Sequence, residues 1–435
     1  MPFSLSPRAW RRLYLFASIL LLLDLYAVYN RHHHNGLAYS VNGRIPSDCP
    51  SLPGLHDVML VLKTGVTEAH EKLPVHRNTT LRCIPNYIVW SDYAEEIADI
   101  PVHDVLSSEP AALHALPDFS LYTKVQTHGR NALTSLDLAD DPSTPFGKTN
   151  PGWRLDKWKF IPMIEHTFRR TRRSKWYVFM EADTYIVWAN MLAWLDRLDA
   201  SRPHYLGNQM QIRDVLFAHG GSGFVLSRPA MERATKLIEA RREHYAAVTA
   251  EEWAGDCVLG ILFRDAGVAL DWAWPMLQIA PVKELDHFSG NYGRMPWCYP
   301  VVSFHHLKPR EISELDGLDR AWREQGRRGR PLLFRDVFFE LARPKMTEEP
   351  AMDWDNESPE DMAVVKSVEE CWAICQGERY CLQYVLRDNG VCAISRDVRL
   401  GEARQGFESG WMLDRIDHTA ELLGGCREAT WIRPP

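Results

Sequence analysis

An apolar stretch that ends in two carboxylates constrains the fold of this chain more than any other feature. Residues 176–180 are apolar, and Glu181, Ala182 and Asp183 follow at once. A short continuous apolar run is typical of a strand buried on both faces of an α/β sheet. Such sheets bind ligands outside the carboxyl ends of their strands, and a divalent cation would relieve the repulsion between the two carboxylates. The alternative is that Asp183 caps a helix that starts near Tyr185.

Length and charge set broad limits on the class of protein. The 435 residues suffice for a large core and for two folded units. The net charge of −7 at pH 7 and the isoelectric point near 6.2 give no overall nucleic-acid signature. The basic runs at 169–173 and 327–330 are typical of solvated faces. We therefore expect no nucleic-acid partner.

The amino terminus has the pattern of a membrane anchor. Residues 13–29 are almost wholly apolar, although Asp24 interrupts them, and three arginines precede them. A cleaved signal peptide is the alternative, but residues 26–31 are too bulky for a cleavage site. The positive flank predicts a cytosolic tail at 1–12 and a lumenal chain after the transmembrane signal anchor. The polar segment at 30–55 is then a stem.

Two Asn-x-Ser/Thr sequons fit the same lumenal placement. They lie at Asn78 and Asn356, and they are usable only in a chain that enters the secretory pathway. Pro359 directly after the second sequon weakens that site.

The cysteines favour an oxidising compartment and a second folded unit. Nine are present, and five crowd into the carboxyl-terminal part, at Cys371, Cys375, Cys381, Cys392 and Cys426. Their density predicts a small disulfide-stapled module, and a zinc site is the weaker alternative because no paired CxxC is present. A boundary near 345–365 fits the accumulation of Pro, Glu, Asp and Asn there. Cys257 and Cys298 are candidates to form a disulfide with each other. Cys49 and Cys83 are the other candidate partners for either of them.

Alternation of apolar strands with helical patterns indicates an α/β domain. Compact apolar runs at 58–62 and 87–90 predict strands, and the apolar spacing at 157–168 predicts a helix. Residues 106–153 are rich in Pro, Asp, Ser and Thr, which predicts a surface insertion. Three further segments carry chemistry: a glycine-rich loop at 219–223, an acidic segment at 251–260 and a Ser-Phe-His-His segment at 303–306.

Four motifs taken together resemble a known family of transferases. In chain order they are the carboxylates at 181–185, the glycine-rich loop at 220–227, the acidic motif at 256–260 and the Ser-Phe-His segment at 303–305. Their order and spacing resemble the inverting β-1,3-glycosyltransferases of glycosyltransferase family 31, especially the core 1 galactosyltransferase and Fringe-like branch. The resemblance covers about residues 55–310 and implies a GT-A, Rossmann-like α/β domain, which we place at 56–345.

The resemblance implies a nucleotide-sugar donor and a divalent cation, usually Mn²⁺. A metal held by carboxylate and imidazole neutralises the charge that builds on a departing nucleoside diphosphate. By this match Asp183 ligates the metal, His305 supplies the second protein ligand, and Glu181 faces the ribose or a metal-bound water. His306 is the alternative ligand, because adjacent residues on a strand point to opposite faces. The family usually has Asp where this chain has Glu181 and Ala182, which leaves the donor sugar open.

The acidic segment contains the candidate general base, which takes the proton of the acceptor hydroxyl in an inverting transfer. The resemblance implies Asp256 for this role, with Glu252 in reserve. The alternative role of Asp256 is the N-cap of a helix that begins at Cys257, and the two roles are compatible. For one donor-site candidate, Lys157, the alternative is a solvated lysine on a helix. The full set of donor-binding candidates is Thr64, Gly65, Asp92, Lys157, Glu181 and Gly221.

Aromatic residues between the base motif and the histidines are candidates for the acceptor site, because sugars stack their C–H faces on such rings. Ordinary core packing is the alternative. The candidates are Trp272, Trp274, Trp297 and Tyr299.

The carboxyl-terminal part resembles a PAN or apple-like module over about residues 355–426, and we place that domain at 355–430. The match is a helix with two cysteines four residues apart, followed by short strands. It implies the pairs Cys371–Cys392 and Cys375–Cys381, which leaves Cys426 for an upstream partner. Such modules bind protein or carbohydrate, so the resemblance suggests recruitment of the acceptor.

These resemblances imply a single-pass type II enzyme of Golgi or other secretory-pathway membranes. It would transfer galactose from UDP-galactose to a glycan or glycoprotein hydroxyl, as an N-acetylgalactosaminide β-1,3-galactosyltransferase does. One alternative keeps the class and changes the donor to UDP-GlcNAc or UDP-glucuronic acid. The other is a catalytically inactive carbohydrate-binding membrane protein. The sequence leaves the oligomeric state open, with a homodimer among the options.

Overall fold

The computed structural model describes residues 46–138, 151–324 and 329–433. The predicted anchor at 13–29 and most of the predicted stem lie outside these residues. Within the described ranges, no helix has both the length and the apolar character needed to cross a membrane.

A mixed sheet forms the centre of the first folded unit. The strands of this unit are β1 Val58–Lys63, β2 Tyr87–Ser91, β3 Glu95–Ile97, β4 Ile100–Asp104, β5 Trp176–Glu181, β6 Tyr185–Ile186, β7 Tyr205–Gly207, β8 Gln209–Ile212, β9 Val215–Ala218, β10 Phe224–Ser227, β11 Leu270–Trp272 and β12 Ser303–Phe304. Eight of them form one sheet in the order β11-β7-β10-β5-β1-β2-β4-β3. β1 pairs in parallel with both β2 and β5, whereas β10 is antiparallel to β5 and β7. This topology confirms the α/β expectation, and β6–β12 and β8–β9 form separate antiparallel pairs.

Helices cover both faces of this sheet, which is why β1 and β5 are apolar along their length. On one face the rings of Phe179 and Phe224 stack 4.5 Å apart within the core. On the other face Leu60 and Val178 share a second core cluster with Trp194. The helices of this unit are Ala69–Lys72, Pro74–Asn78, Ala111–His114, Ser120–His128, Ser135–Leu138, Pro151–Asp156, Phe160–Arg170, Trp188–Leu195, Arg228–Ala240, Arg242–Glu251, Gly255–Asp265, Pro309–Glu324 and Phe334–Val337.

One local alternative and one local prediction were wrong. No helix starts near Tyr185, because that residue pairs with β12 as part of β6, and the helix begins only at Trp188. The segment 106–153 is not simply a surface insertion, since Phe119 and Val125 are fully buried. Leu121 and Val125 are one turn apart on the helix Ser120–His128 and pack with Val66, while Phe119 precedes the helix and joins the core cluster of Phe179.

The carboxyl-terminal unit is a five-stranded antiparallel sheet with a helix against it. Its strands are β13 Ala351–Asp355, β14 Glu360–Val364, β15 Gln383–Leu386, β16 Val391–Ser395 and β17 Glu402–Trp411, in the order β13-β17-β15-β16-β14. Its helices are Val368–Gly377 and Leu413–Leu423. The Val368–Gly377 helix begins after Ser367, whose hydroxyl accepts from the Glu370 N–H as an N-cap.

The disulfides staple both units and join them. Cys371–Cys392 and Cys375–Cys381 pair as the resemblance implied. Cys426 bonds to Cys298 of the first unit, and Cys49 bonds to Cys83. Cys257 is a buried free thiol.

The two units share a core at their junction. Trp297 of the first unit packs with Phe338 and with Trp411 of the second in one buried cluster. Beyond the second unit the chain returns to the first, where Ile432 is buried and its carbonyl accepts from Trp194 Nε1 at 2.8 Å. The carboxyl-terminal unit is therefore part of the folded body.

One sequon proves unusable in the folded chain. Asn356 is fully buried, and its Nδ2 donates to the carbonyls of Tyr384 (3.0 Å) and Gly410 (3.3 Å). Asn78, by contrast, is exposed at the end of a short helix.

Candidate active site

The pairing of β6 with β12 brings the predicted metal ligands together. Asp183 follows β5 and precedes β6, while His305 directly follows β12. The register places Phe304 opposite Tyr185, and the Leu307 N–H donates to the Asp183 carbonyl at 3.0 Å. As a result His305 Nε2 lies 3.1 Å from Asp183 Oδ1.

His306 joins the same cluster, which corrects the expectation that it would point to the opposite face. Strand β12 ends at Phe304, and His306 has a φ of +57°. This left-handed turn places the rings of His305 and His306 3.9 Å apart between centroids. Asp183, His305 and His306 each offer one ligand atom, and these atoms lie within 4.8 Å of one another.

Charges around Asp183 favour its ionised form. Its Oδ2 accepts from Lys72 Nζ at 3.0 Å on the side away from His305. Burial opposes ionisation of Asp183, but the hydrogen bond with His305 and the nearby Lys72 outweigh it and hold the pKa well below its usual range. For His305, burial favours the neutral ring, yet the contact with Asp183 raises its pKa.

The donor set fits a divalent cation. One carboxylate and two imidazoles provide the mixed oxygen and nitrogen ligands that suit first-row divalent ions such as Mn²⁺. His305 Nδ1 is buried without a hydrogen-bond partner. Gly221 leaves room for this ring, because a Cβ there would lie 2.1 Å from His305 Cε1.

The glycine-rich loop connects the metal cluster to the predicted base. Gly220 N–H donates to Asp256 Oδ2 at 3.0 Å, and the next residue, Gly221, packs against His305. The Gly221 carbonyl accepts from the Thr184 hydroxyl at 2.6 Å, which ties the loop to the end of β5. Asp256 and His305 of the metal cluster therefore contact two adjacent residues of one loop, Gly220 and Gly221.

Asp256 lies in the first turn of the helix Gly255–Asp265, two residues after the N-cap Ala254. The alternative in which Asp256 is the N-cap of a helix that begins at Cys257 was therefore wrong. A Cβ at Gly255 would lie 2.3 Å from a ring carbon of Phe160. Glycine at this position therefore lets the first turn of the helix pack closely against Phe160. Burial raises the pKa of Asp256 to about 6, opposed by the Gly220 N–H and assisted by the charge of Glu181.

Two predicted residues have other partners. Glu252 is buried and pairs with Arg213. Lys157 Nζ lies 3.1 Å from the Asp118 carboxylate and donates to the Glu252 carbonyl at 3.0 Å. Their charged groups therefore serve structural contacts, and the metal cluster has different neighbours.

Two lysines that the sequence did not single out, Lys63 and Lys159, contact Glu181 and the end of β1, where Lys157 makes no such contact among the described residues. Lys63 ends β1 opposite Glu181 in the sheet, and its Nζ lies 3.2 Å from that carboxylate. Lys159 is buried, and its Nζ donates to the Thr64 carbonyl at 2.8 Å. For Lys63 the available signal was a charged residue at the end of an apolar strand, the same pattern that identified Glu181, whereas Lys159 lies in the short 3₁₀ helix Lys157–Lys159.

The loop after β1, which was predicted to contact the nucleotide, is anchored by the buried Asp92. Asp92 is 1% exposed, accepts from the Val66 N–H at 2.7 Å and lies 3.4 Å from Lys159 Nζ. A Cβ on Gly65 would contact Lys159 Nζ at 3.1 Å. Asp92 therefore orients the loop after β1, whereas the prediction had it reach uracil or ribose.

The four acceptor candidates divide into two groups. Trp297 is 2% exposed and donates to the Gly424 carbonyl, so core packing explains it, and Tyr299 packs between two core clusters. Trp272 and Trp274 are partly exposed, and each ring centroid lies 5.8 Å from that of Tyr292. This aromatic cluster is accessible to a ligand.

A second aromatic pair lies beside the base. Trp153 and Trp253 stack with centroids 5.7 Å apart and planes 16° from parallel. Trp253 is 39% exposed and precedes Asp256 by three residues. The two tryptophans are far apart in sequence, which is why the pattern alone did not reveal them.

Two comparisons with known proteins match part of this chain. Residues 153–272 match the family model described as Fringe-like, a range that holds β5, the glycine-rich loop and Asp256. Human (Homo sapiens) chondroitin sulfate glucuronyltransferase is 26% identical over 91 residues, which cover 20% of this chain and 12% of that protein. The chain thus spans about an eighth of the length of that relative. The described residues thus combine a mixed α/β sheet with a segment, residues 153–272, that is similar to the Fringe-like family.

Proposed function

We propose that this protein is an inverting, metal-dependent glycosyltransferase of family 31 that moves galactose from UDP-galactose to a glycan or glycoprotein hydroxyl. The observation that carries the proposal is the Gly220–Gly221 dipeptide, which contacts the Asp256 carboxylate on one side and the His305 ring on the other. A base and a metal-held diphosphate on opposite sides of one dipeptide would suit attack on an anomeric carbon between them.

Asp256 acts as the general base in this scheme. Its pKa of about 6 lets it be ionised at neutral pH and still accept a proton from an attacking hydroxyl. The Gly220 N–H holds Oδ2, which fixes the orientation of the carboxylate. The stacked Trp153 and Trp253 offer a ring face for the acceptor beside it.

The donor lies over the carboxyl ends of β1 and β5. Asp183, His305 and His306 would hold the cation, which when bound neutralises charge on the diphosphate leaving group. Lys63 and Lys72 place two ammonium groups on either side of the carboxylates at 181–183. The choice of galactose rests on the sequence resemblance alone.

The experiment is release of UDP by the full chain from UDP-galactose, UDP-GlcNAc and UDP-glucuronic acid, with Mn²⁺ or with EDTA. We expect Mn²⁺-dependent release from UDP-galactose, and its loss in Asp183→Ala. The matched control is Asp214→Ala, since that carboxylate is 81% exposed. Release of UDP from a different sugar nucleotide would identify that nucleotide as the donor in place of UDP-galactose. Release of UDP in EDTA would refute the metal site. No release from any donor, together with glycan binding, would favour a catalytically inactive carbohydrate-binding protein.

We further propose the type II topology inferred above, with both folded units in the lumen of the Golgi or another secretory-pathway compartment. Four disulfides in the described part of the chain support an oxidising environment. In sealed microsomes, protease should then spare the two folded units until detergent is added. Cleavage before detergent would contradict this topology.

A further inference from the structure

A cavity of about 260 Å³ lies beside the exposed aromatic cluster, outside the metal and base site. Its lining includes Trp274, Gln278, Asp286, His287 and Asn291. Ligand pockets in proteins commonly begin at about 300 Å³, so this volume suits one small ring rather than a larger molecule.

The wall of the cavity is held in place by the carboxyl-terminal unit. Asp286 forms two hydrogen bonds with Arg399, at 2.6 and 3.0 Å, and the Phe288 N–H donates to Asp397 at 2.8 Å. Lys283 Nζ donates to Glu402 at 2.6 Å. The unit fixes the 283–288 segment and thereby shapes the cavity without lining it.

His287 is the polar group that the fold leaves unsatisfied in this wall. The residue is 4% exposed, its ring packs on Phe338, and its Nε2 is buried with no hydrogen-bond partner. Burial lowers the pKa of His287 to about 4, so the ring is neutral at physiological pH. His287 lines the cavity, and a hydroxyl that reaches its neutral Nε2 would give this nitrogen the hydrogen bond it lacks.

The chemistry of the lining selects neutral polyols. Carboxylate, amide and imidazole groups recognise hydroxyls, and the half-buried Trp274 ring offers an apolar face. Glu284 and Asp286 both line the cavity, and no Lys or Arg does so among the described residues. Arg399 compensates the charge of Asp286 at 2.6 Å and Lys283 that of Glu284 at 3.7 Å, so the wall offers no uncompensated positive charge to attract a uronate or a sulfated sugar.

The cavity lies at the same edge of the sheet as the active site. The strand register aligns four residues in one row across the sheet: Phe179 of β5, Phe224 of β10, Gly207 of β7 and Trp272 of β11. Three strand spacings separate Phe179 from Trp272, roughly 14 Å. A short oligosaccharide can span that distance. Gln278 also connects to the metal side, since its N–H donates to the carbonyl of Ser303 at 3.1 Å.

We propose that this cavity is a distal subsite that binds one neutral pyranose ring of an oligosaccharide acceptor, with His287 as a specificity-determining contact. The proposal rests on the proposed transferase function for its role in catalysis. Binding of the sugar itself can be measured without turnover. The sugar subsite and the transferase function can therefore be refuted independently.

The first test is direct binding to the full chain in detergent. The probes are lactose, cellobiose and maltose, compared with a glucuronate-containing disaccharide and a lysine-rich peptide, by titration calorimetry and saturation-transfer NMR. We expect a neutral disaccharide to bind, and His287→Ala to weaken it about tenfold through the lost hydrogen bond. The matched control is His204→Ala, because His204 is equally buried at the amino end of β7, the opposite edge of the sheet.

Asn291→Ala provides a second variant if His287→Ala does not fold, since Asn291 is exposed at the cavity and its Nδ2 is available to a ligand. Tighter binding of the glucuronate disaccharide or the peptide, no binding of any neutral probe, or equal binding by wild type and both variants would each overturn the subsite.

The second test uses turnover. With an active donor, both variants should raise KM for a disaccharide acceptor about tenfold and leave KM for the corresponding monosaccharide glycoside within about twofold. Equal changes in both KM values would overturn the distal subsite. Absence of turnover in the wild type would refute the transferase function and leave the binding result intact.

Discussion

Two backbone N–H groups hold the carboxylate of Asp256, and its environment determines how the proposed reaction responds to pH. Burial raises the pKa to about 6, so the base is protonated and inactive below that value and ionised above it. We expect kcat/KM to fall with decreasing pH through about 6 and to level off above it. A pH–rate profile measures this limb.

Asp256→Asn should remove that acid limb together with most of the activity. The expected loss in kcat is about 10²- to 10⁴-fold, the usual contribution of a positioned base. UDP-sugar affinity should change little, because the amide retains an acceptor for the Gly220 N–H. An unchanged kcat would refute the assignment of the base.

Gly221 gives a steric test of the metal centre. In Gly221→Ala the new Cβ would lie 2.1 Å from the His305 ring, so the ring must move. We expect Mn²⁺ affinity, measured by titration calorimetry, to fall about 10- to 100-fold, as when the surroundings of a ligand are disturbed. Gly317→Ala is the control, since no other atom lies within 4 Å of its Cβ position, and it should retain wild-type affinity.

At the scale of elements, the β6–β12 pair is supported by a neighbouring helix. The buried Tyr185 hydroxyl lies 3.4 Å from Asp316 and 3.3 Å from Asp319, both on the helix Pro309–Glu324. Because Tyr185 is two residues from Asp183 and pairs with Phe304, which precedes His305, this contact positions two of the three proposed metal ligands.

Tyr185→Phe should therefore affect both stability and metal binding. We expect the free energy of unfolding to fall by about 1 kcal/mol and Mn²⁺ affinity to fall severalfold. Tyr245→Phe makes the same chemical change at a hydroxyl 3.0 Å from Asp265, far from the metal ligands in the contact network. If the two variants lose the same stability and neither loses Mn²⁺ affinity, the Tyr185 contact has no positioning role.

Strands and disulfides could be predicted from the sequence where a local residue pattern determines them. The buried strands followed from apolar runs, and two disulfides of the second unit followed from a resemblance carried by cysteine spacing. His306 was misplaced because a single left-handed φ ends the strand before it. Lys63 and Lys159 were missed because their roles depend on contacts with Glu181 and Thr64 that only the folded sheet creates. Trp153 and Trp253 were missed for the same reason.

At the scale of the whole molecule, the Cys298–Cys426 disulfide closes a long loop between the two units. Replacing both cysteines with serine should lower the free energy of unfolding by about 4 to 5 kcal/mol in the chain-entropy account. The matched variant replaces Cys375 and Cys381, whose separation is only 6 residues, and should lose about 2 kcal/mol. Denaturant titration measures both, and equal losses would contradict the entropic explanation.

The return of the chain to Trp194 through Ile432 sets the order in which this protein can mature. Ribosomes deliver residues 58–181 early, yet the core beneath β5 gains one of its members only after residue 432 has emerged. His305 likewise reaches Asp183 long after that carboxylate has been synthesised. The core of the first unit is therefore complete only when residues on both sides of the second unit are available to pack together.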